Sequence, residues 1–169
     1  MQIRDAITDD MPAIQSIYAH HVLEGTGTFE EIPPSIEEMT ERFVHRLPGT
    51  SWLVATDATG VIGYAYFAPY GKRSAYRYCA EDSIYVRDDF RGQGVGKALV
   101  NRLIEEAEAA GYRQMIAVIG DSENVGSVGM HASLGFRHVG VLRAAGYKFG
   151  RWLDVVHMQR SLGKGDQPF

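Results

Sequence analysis

The chain has 169 residues, enough for one domain of ordinary size with a real core. It is 45% hydrophobic and 22% charged, with no low-complexity run of the kind that stays disordered. A formal net charge of −4 argues against a nucleic-acid binder working through a basic face, and no apolar run approaches the ~20 residues of a membrane helix. A lone cysteine, Cys79, cannot form an internal disulfide, and Met1–Asp5 lacks the apolar segment of a secretory signal, so the cytoplasm is the expected compartment.

In chain order, Gln2–Ala6 reads as a short edge strand. Thr8 reads as the N-cap of a helix running to about Leu23, with Met11, Ile14, Ile17, Tyr18 and Val22 on its buried face. His20 and His21, near its C-terminal end, read as surface residues that suit the helix dipole. No metal ligand stands at suitable spacing, and no metal site is expected. Gly25–Pro34 is a loop, and its Phe29 is either packed on the core or a pocket wall. Ser35-Ile36-Glu37-Glu38 is a capping box that opens a second helix to about Leu47, where Pro48-Gly49 stops it. Trp52–Thr56 and Val61–Tyr70 are strands joined by a turn at Asp57–Gly60, and a polar, aromatic connection (Gly71–Arg77) leads to a strand at Tyr78–Val86. A helix follows from Gly94 to Ala110, with Val95, Leu99, Leu103 and Ala107 on one face. Gln114–Ile119 is apolar enough for a strand covered on both faces. Asn124–Leu134 is a weaker helix. Phe136–Leu142 and Trp152–Met158 form a final strand pair around a Gly146–Gly150 connection. With no repeat or linker, the whole chain, 1–169, reads as one α/β domain (α+β in its segregated sense), and residues 163–169 read as a flexible tail.

One stretch carries a specific chemical message. After the strand ending at Val86, glycines at alternate positions (Gly92, Gly94, Gly96) leave no side chain between the backbone and whatever approaches it. The N–H groups of a helix's first turn have no partner inside the helix, and the dipole there favours negative charge. Such a loop is suited to a phosphate or pyrophosphate. A P-loop is the competing reading, but Lys97 is followed by Ala98, so the magnesium-holding Ser or Thr is missing.

Arg91-Gly92-Gln93-Gly94-Val95-Gly96 after a strand, with Asn124, Ser127, His131 and Leu134-Gly135-Phe136 further on, resembles the GNAT superfamily of acetyl-CoA-dependent N-acetyltransferases. The resemblance implies a GNAT fold: a central, mixed, mostly antiparallel twisted sheet flanked by helices, with strands splayed where acetyl-CoA enters as co-substrate. It implies that backbone N–H groups from Arg91 to Lys97 hold the pyrophosphate and that Ile84, Tyr85 and Val86 run beside the pantetheine arm. Asn124 and Ser133 become further coenzyme contacts. Homodimers are usual in this family, which points to the aromatic and charged Tyr147–Asp154 segment as the subunit contact.

Thr28-Phe29-Glu30, Ala75-Tyr76-Arg77-Tyr78, Glu81–Val86 and Lys148–Asp154 are similar to the phosphinothricin acetyltransferase subfamily. That narrower likeness implies acetylation of the α-amino group of phosphinothricin, methionine sulfoximine or methionine sulfone. Gly71 departs from the pattern, since close relatives often carry Arg there.

An ammonium must lose a proton before it attacks a thioester, and a nearby carboxylate can accept it. Glu81 is the candidate, unless it only forms an ion pair with Arg73 or Arg77. Alternation along the strand puts Ser83 on the face of Glu81 and Asp82 on the other. Lys72, Arg73 and Arg77 suit the carboxylate or phosphinate of an amino-acid-like substrate, unless they form only a solvated basic loop. With Phe29, Tyr78, Glu81, Asp82 and Ser83 they form the expected acceptor site. Many GNAT enzymes place a Tyr as acid for the leaving thiolate where this chain has His131, which either serves that role or packs beneath the following turn. An acetyl-cysteine route through Cys79 lacks a base partner. The expectation is direct transfer to a small amino-acid-like substrate. Acetylation of a protein N-terminus or lysine, or a non-catalytic coenzyme A sensor, is the alternative.

Overall fold

The structure, a computed structural model, describes residues 1–168. Among these residues seven strands and four α-helices follow in the order β1 (Gln2–Asp5), α1 (Met11–Glu24), α2 (Ile36–Val44), β2 (Trp52–Asp57), β3 (Gly60–Pro69), β4 (Cys79–Val86), α3 (Val95–Ala109), β5 (Gln114–Gly120), α4 (Val125–Ser133), β6 (Arg137–Lys148) and β7 (Arg151–Ser161). The sheet order is β1-β2-β3-β4-β5-β7-β6. Every pairing is antiparallel except β4 with β5. This is the mixed, mostly antiparallel sheet expected.

Both faces are covered, which is why β2 buries consecutive residues. Trp52 and Val54 point to one side, where Met11, Ile14, Ile17 and Val22 of α1 and Met39 and Phe43 of α2 pack. Leu53 and Ala55 point to the other, against Val95, Leu99, Val100, Leu103 and Ile104 of α3. Among the described residues no helix is long and apolar enough to cross a membrane.

Several boundaries differ from the sequence reading. Thr8 is not an N-cap; Thr8–Asp10 form a 3-10 turn, and α1 starts at Met11 with Pro12 in its first turn. The Asp10 carboxylate accepts the Ile7 N–H at 2.9 Å and is gripped by both terminal nitrogens of Arg4. Ser35 caps α2 by accepting from the Glu38 N–H at 3.1 Å, but the Glu38 carboxylate turns to Arg42, and the helix ends at Val44 rather than Leu47. The last strand pair is longer than expected because Gly146 lies within β6, opposite Leu153, next to a register irregularity. The connection is only Phe149-Gly150, both at positive φ, which suits a tight hairpin turn. In the segment read as a tail, Gly165 O and Gln167 O accept hydrogen bonds from the Arg113 side chain. Phe169, its last residue, lies outside the described residues.

Candidate active site

β4 and β5 pair only from Cys79↔Gln114 to Asp82↔Ala117; beyond that rung they diverge, while β4 continues along β3 to Val86↔Gly63. The divergence opens a cleft of about 1230 Å³. Its walls are Asp82–Val86 of β4, Ala117–Gly120 of β5, the loop from Arg91 to α3, the start of α4, and Gly25–Gly27 from the α1–α2 loop. Ile84 and Val86 lean into the core on the α3 side, where Gly96 approaches Ile84, while Tyr85 packs on Tyr18 and Tyr64 across the sheet.

At one end of the cleft α3 begins. Gly94 is its N-cap at φ 82°, and Gly92 also has positive φ, at 74°. A Cβ built on either would point into open space, so the loop presents bare backbone above the first turn of a 15-residue helix. The residues fit a diphosphate at this spot: unpaired N–H groups, the positive end of the dipole, and the exposed Lys97 and Arg91 beside them. Val95 is buried and offers only its main chain. Gln93 spends its amide on Asp89 O at 2.9 Å and stays outside the cleft. Asn124 lines the cleft as the N-cap of α4, its oxygen accepting from Ser127 N–H. Ser133 does not line it: its hydroxyl donates to Met130 O on the exposed end of α4.

Around the rung where the strands part, β4 sends successive carboxylates to opposite faces. Glu81 is half-buried and forms no ion pair with Arg73 or Arg77. Burial, then the neighbouring Asp82 charge, pushes its carboxyl above the usual range. Ser83 sits opposite Tyr66 of β3. Asp82 is buried and meets His131 of α4, Oδ2 to Nε2, at 2.9 Å. His131 is 2% exposed, with the Phe136 ring edge-on at 4.9 Å. Both readings of His131 therefore meet in one residue, which lies beneath the turn and also on the cleft wall.

The basic connection does not join this cluster. Lys72, Arg73 and Arg77 are exposed and off the cleft; Arg77 donates to Ser74 O and lies 4.7 Å over the Tyr78 ring. Over Gly71, where an Arg was expected from the resemblance, the Tyr76 ring sits so close that a Cβ would meet it at 2.7 Å. Phe29 also stays off the cleft, resting on Gly120 and Gly146. Cys79 is half-buried and burial pushes its thiol up, which disfavours the thiolate.

Three contributors were not legible in the sequence. His21 is not a free surface residue: its Nε2 reaches Val86 O at 2.9 Å on the cleft wall, and burial lowers its pKa, which favours the neutral ring as donor. Asp121, at φ 71°, accepts from Thr26 at 2.8 Å and from Arg151 at 2.9 Å, tying the α1–α2 loop and β7 to the end of β5. Lys148 is buried, and its ammonium donates to Gly25 O and Thr28 O, each at 2.8 Å.

Comparison with known proteins agrees with this geometry. Residues 14–136, well over half the chain, match the model of the acetyltransferase (GNAT) family. The chain is 50% identical over 165 residues to phosphinothricin N-acetyltransferase of Alcaligenes faecalis, covering 97% of this chain and 84% of that one. It is 42% identical over 162 residues to an L-methionine sulfoximine/L-methionine sulfone acetyltransferase of Pseudomonas paraeruginosa, with 95% and 94% covered. A crystal structure of a GNAT superfamily phosphinothricin acetyltransferase from Sinorhizobium meliloti in complex with AcCoA superposes at a TM-score of 0.95 and 45% identity, covering 99% of this chain and 92% of that one. A strand pair that parts beside a glycine-spaced helix start, in a chain this similar throughout to such enzymes, is a family signature, and the protein belongs to the GNAT family of acetyltransferases.

Proposed function

We propose that the protein moves the acetyl group of acetyl-CoA to the α-amino group of a small amino-acid-like acceptor, of the phosphinothricin, methionine sulfoximine or methionine sulfone type, by direct attack. The observation that carries this reading is the cleft leading from the N-terminus of α3 to the last paired rung of β4 at Asp82; Glu81, one residue before that rung and outside the cleft lining, carries a raised carboxyl. Relatives of this chain bear those substrates in their names.

In this reading the backbone N–H groups from Gly92 to Lys97 hold the pyrophosphate, with the Arg91 side chain beside them because its own N–H is donated to Asp88 O, and Ile84–Val86 pair with the pantetheine arm as an absent strand would. Asn124 contributes from the far wall. Glu81 accepts a proton from the ammonium, directly or through water. A β4 N–H without a β5 partner polarises the thioester carbonyl. Ser83 lies on the Glu81 face at the acceptor end, with the exposed Arg73, Arg77 and Lys72 and the half-buried Tyr78 further along the same connection. Lys148 and Phe29 keep the α1–α2 loop closed over the site.

We also assign the exposed strip of Val139, Leu142, Tyr147, Phe149 and Trp152 to contact with a second copy, because β6 is a sheet edge left open beside it. The cytoplasm suits a chain with one unpaired, half-buried cysteine.

Following free thiol release from acetyl-CoA tests the activity, with phosphinothricin, methionine sulfoximine, methionine sulfone and unmodified amino acids as acceptors. Turnover with one or more of the three analogues is expected. Turnover only with peptide N-termini, or none with any amine, overturns the reading.

A further inference from the structure

In the acetyltransferase reading the cleft holds the coenzyme, and Glu81 is not part of its lining. An amine that gives its proton to Glu81 therefore arrives over the sheet face that Glu81 shares with Ser83 and Tyr85, the face covered by α1 and α2. That face has a cavity of its own, of about 320 Å³, between the end of α2 and strands β2 and β3. Its size and its mostly apolar, aromatic lining are those of a small-molecule site.

The floor of this cavity is a row of side chains laid across the sheet. Trp52 of β2 stands opposite Tyr66 of β3, and Tyr66 stands opposite Ser83 of β4. The Trp52 and Tyr66 rings stack at 4.5 Å and 12°, and the Tyr66 hydroxyl interacts with the Ser83 side chain. Trp52 and Tyr66 line the cavity while Ser83 lines the cleft, so the row runs from one to the other. Ala68, also in the cavity wall, is opposite Glu81 and places only a methyl group beside it. Two strand spacings separate Ser83 from Trp52, about 10 Å, which is room for an amino acid extended from its amine to the end of its side chain.

The far end carries positive charge. Arg42 is shared between the carboxylates of Glu30 and Glu38. Arg46, just past α2, also lines the cavity; its guanidinium lies 4.2 Å over the Phe43 ring and gives one N–H to Phe43 O at 2.7 Å. Among the described residues no carboxylate forms an ion pair with it. An arginine with donors left over, at the rim of an aromatic cavity, suits an oxyanion on the end of an apolar stem.

We propose that this cavity seats the side chain of the acetyl acceptor. The Trp52 and Tyr66 rings lie under its methylene stem, its amine stands over Ser83 beside Glu81, and Arg46 is the specificity residue that selects an anionic end such as the phosphinate of phosphinothricin. The inference rests on the acetyltransferase reading above. The end of methionine sulfone is neutral and gains less from Arg46.

Steady-state kinetics with phosphinothricin and methionine sulfone at saturating acetyl-CoA test the assignment. Arg46→Gln is expected to raise KM for phosphinothricin about tenfold or more, in line with loss of a charge-assisted hydrogen bond. The KM for methionine sulfone is expected to change less than about threefold, with kcat for both acceptors nearly unchanged. A second readout needs no turnover. Trp52 is one of two tryptophans, the other being the exposed Trp152. Phosphinothricin added to the coenzyme A-bound protein is expected to change the tryptophan emission saturably, and Trp52→Phe to abolish that change. Equal KM changes for the two acceptors in Arg46→Gln, no change with either, or an emission change that is absent or survives in Trp52→Phe would each overturn the proposal. If the wild type binds coenzyme A yet acetylates no amine, the functional reading fails, whereas the emission titration still decides whether the cavity takes the ligand.

Discussion

Phe29 lies against Gly146 so closely that a Cβ built on the glycine would come within 2.2 Å of the ring. The opposite edge of the ring, at Cε1, approaches Gly120 of β5, so one aromatic side chain from the α1–α2 loop closes over two strands that are neighbours of β7.

Substitution at these glycines should therefore separate by what each would meet. On Gly120 a Cβ would lie 2.4 Å from Thr26 O, a backbone atom that cannot swing away. Gly120→Ala is expected to destabilise the fold by about 1–3 kcal/mol, as overpacking does. Gly129 sits in α4 with nothing within 4 Å of the same position. Gly129→Ala is expected to stabilise by about 0.5–1 kcal/mol through helix propensity alone. Denaturant unfolding of the two variants checks the opposite signs.

Gly94→Ala addresses the α3 entrance. An alanine at φ 82° is strained by about 1–2 kcal/mol, and its methyl would stand where the main chain is now bare. Coenzyme A affinity is expected to fall about tenfold or more, for which a loss of about 1.4 kcal/mol suffices. Calorimetric titration against the wild type measures it.

The pH dependence follows from Glu81. Burial first, and the Asp82 charge second, make its proton harder to remove than from an ordinary glutamate. A base works only when ionised, so kcat/KM should rise with pH along a limb displaced above the ordinary glutamate range. Glu81→Gln is expected to remove that limb and lower the turnover rate about 100-fold. A steady-state pH profile of both proteins is the check. Retention of the limb in the variant would mean that another group produces it.

These residues also mark what a sequence can and cannot disclose. The α3 entrance was legible because its chemistry is main-chain chemistry: Gly92, Gly94 and Gly96 announce it in a few consecutive positions. The face of Glu81 and the opposite face of Asp82 followed from strand alternation. The partner of Asp82 did not, because His131 lies 49 positions away on a helix whose docking angle no local pattern encodes. The length of β6 was hidden by Gly146, which resembles loop punctuation yet serves as the gap into which Phe29 fits. The basic connection was legible only as two alternatives, a binding loop or a solvated one, because exposure is not written in local sequence; in the structure Tyr76 folds down on Gly71 and the cations face solvent.

We propose that bare backbone amides at the start of α3 grip a diphosphate and so fix where the acyl group is delivered. Calorimetric titration with coenzyme A and, in parallel, with pantetheine, which lacks the diphosphate, tests it most directly. Saturable one-to-one binding of coenzyme A and far weaker binding of pantetheine is the expected result; no heat with coenzyme A, or equal affinity for the two, would contradict it.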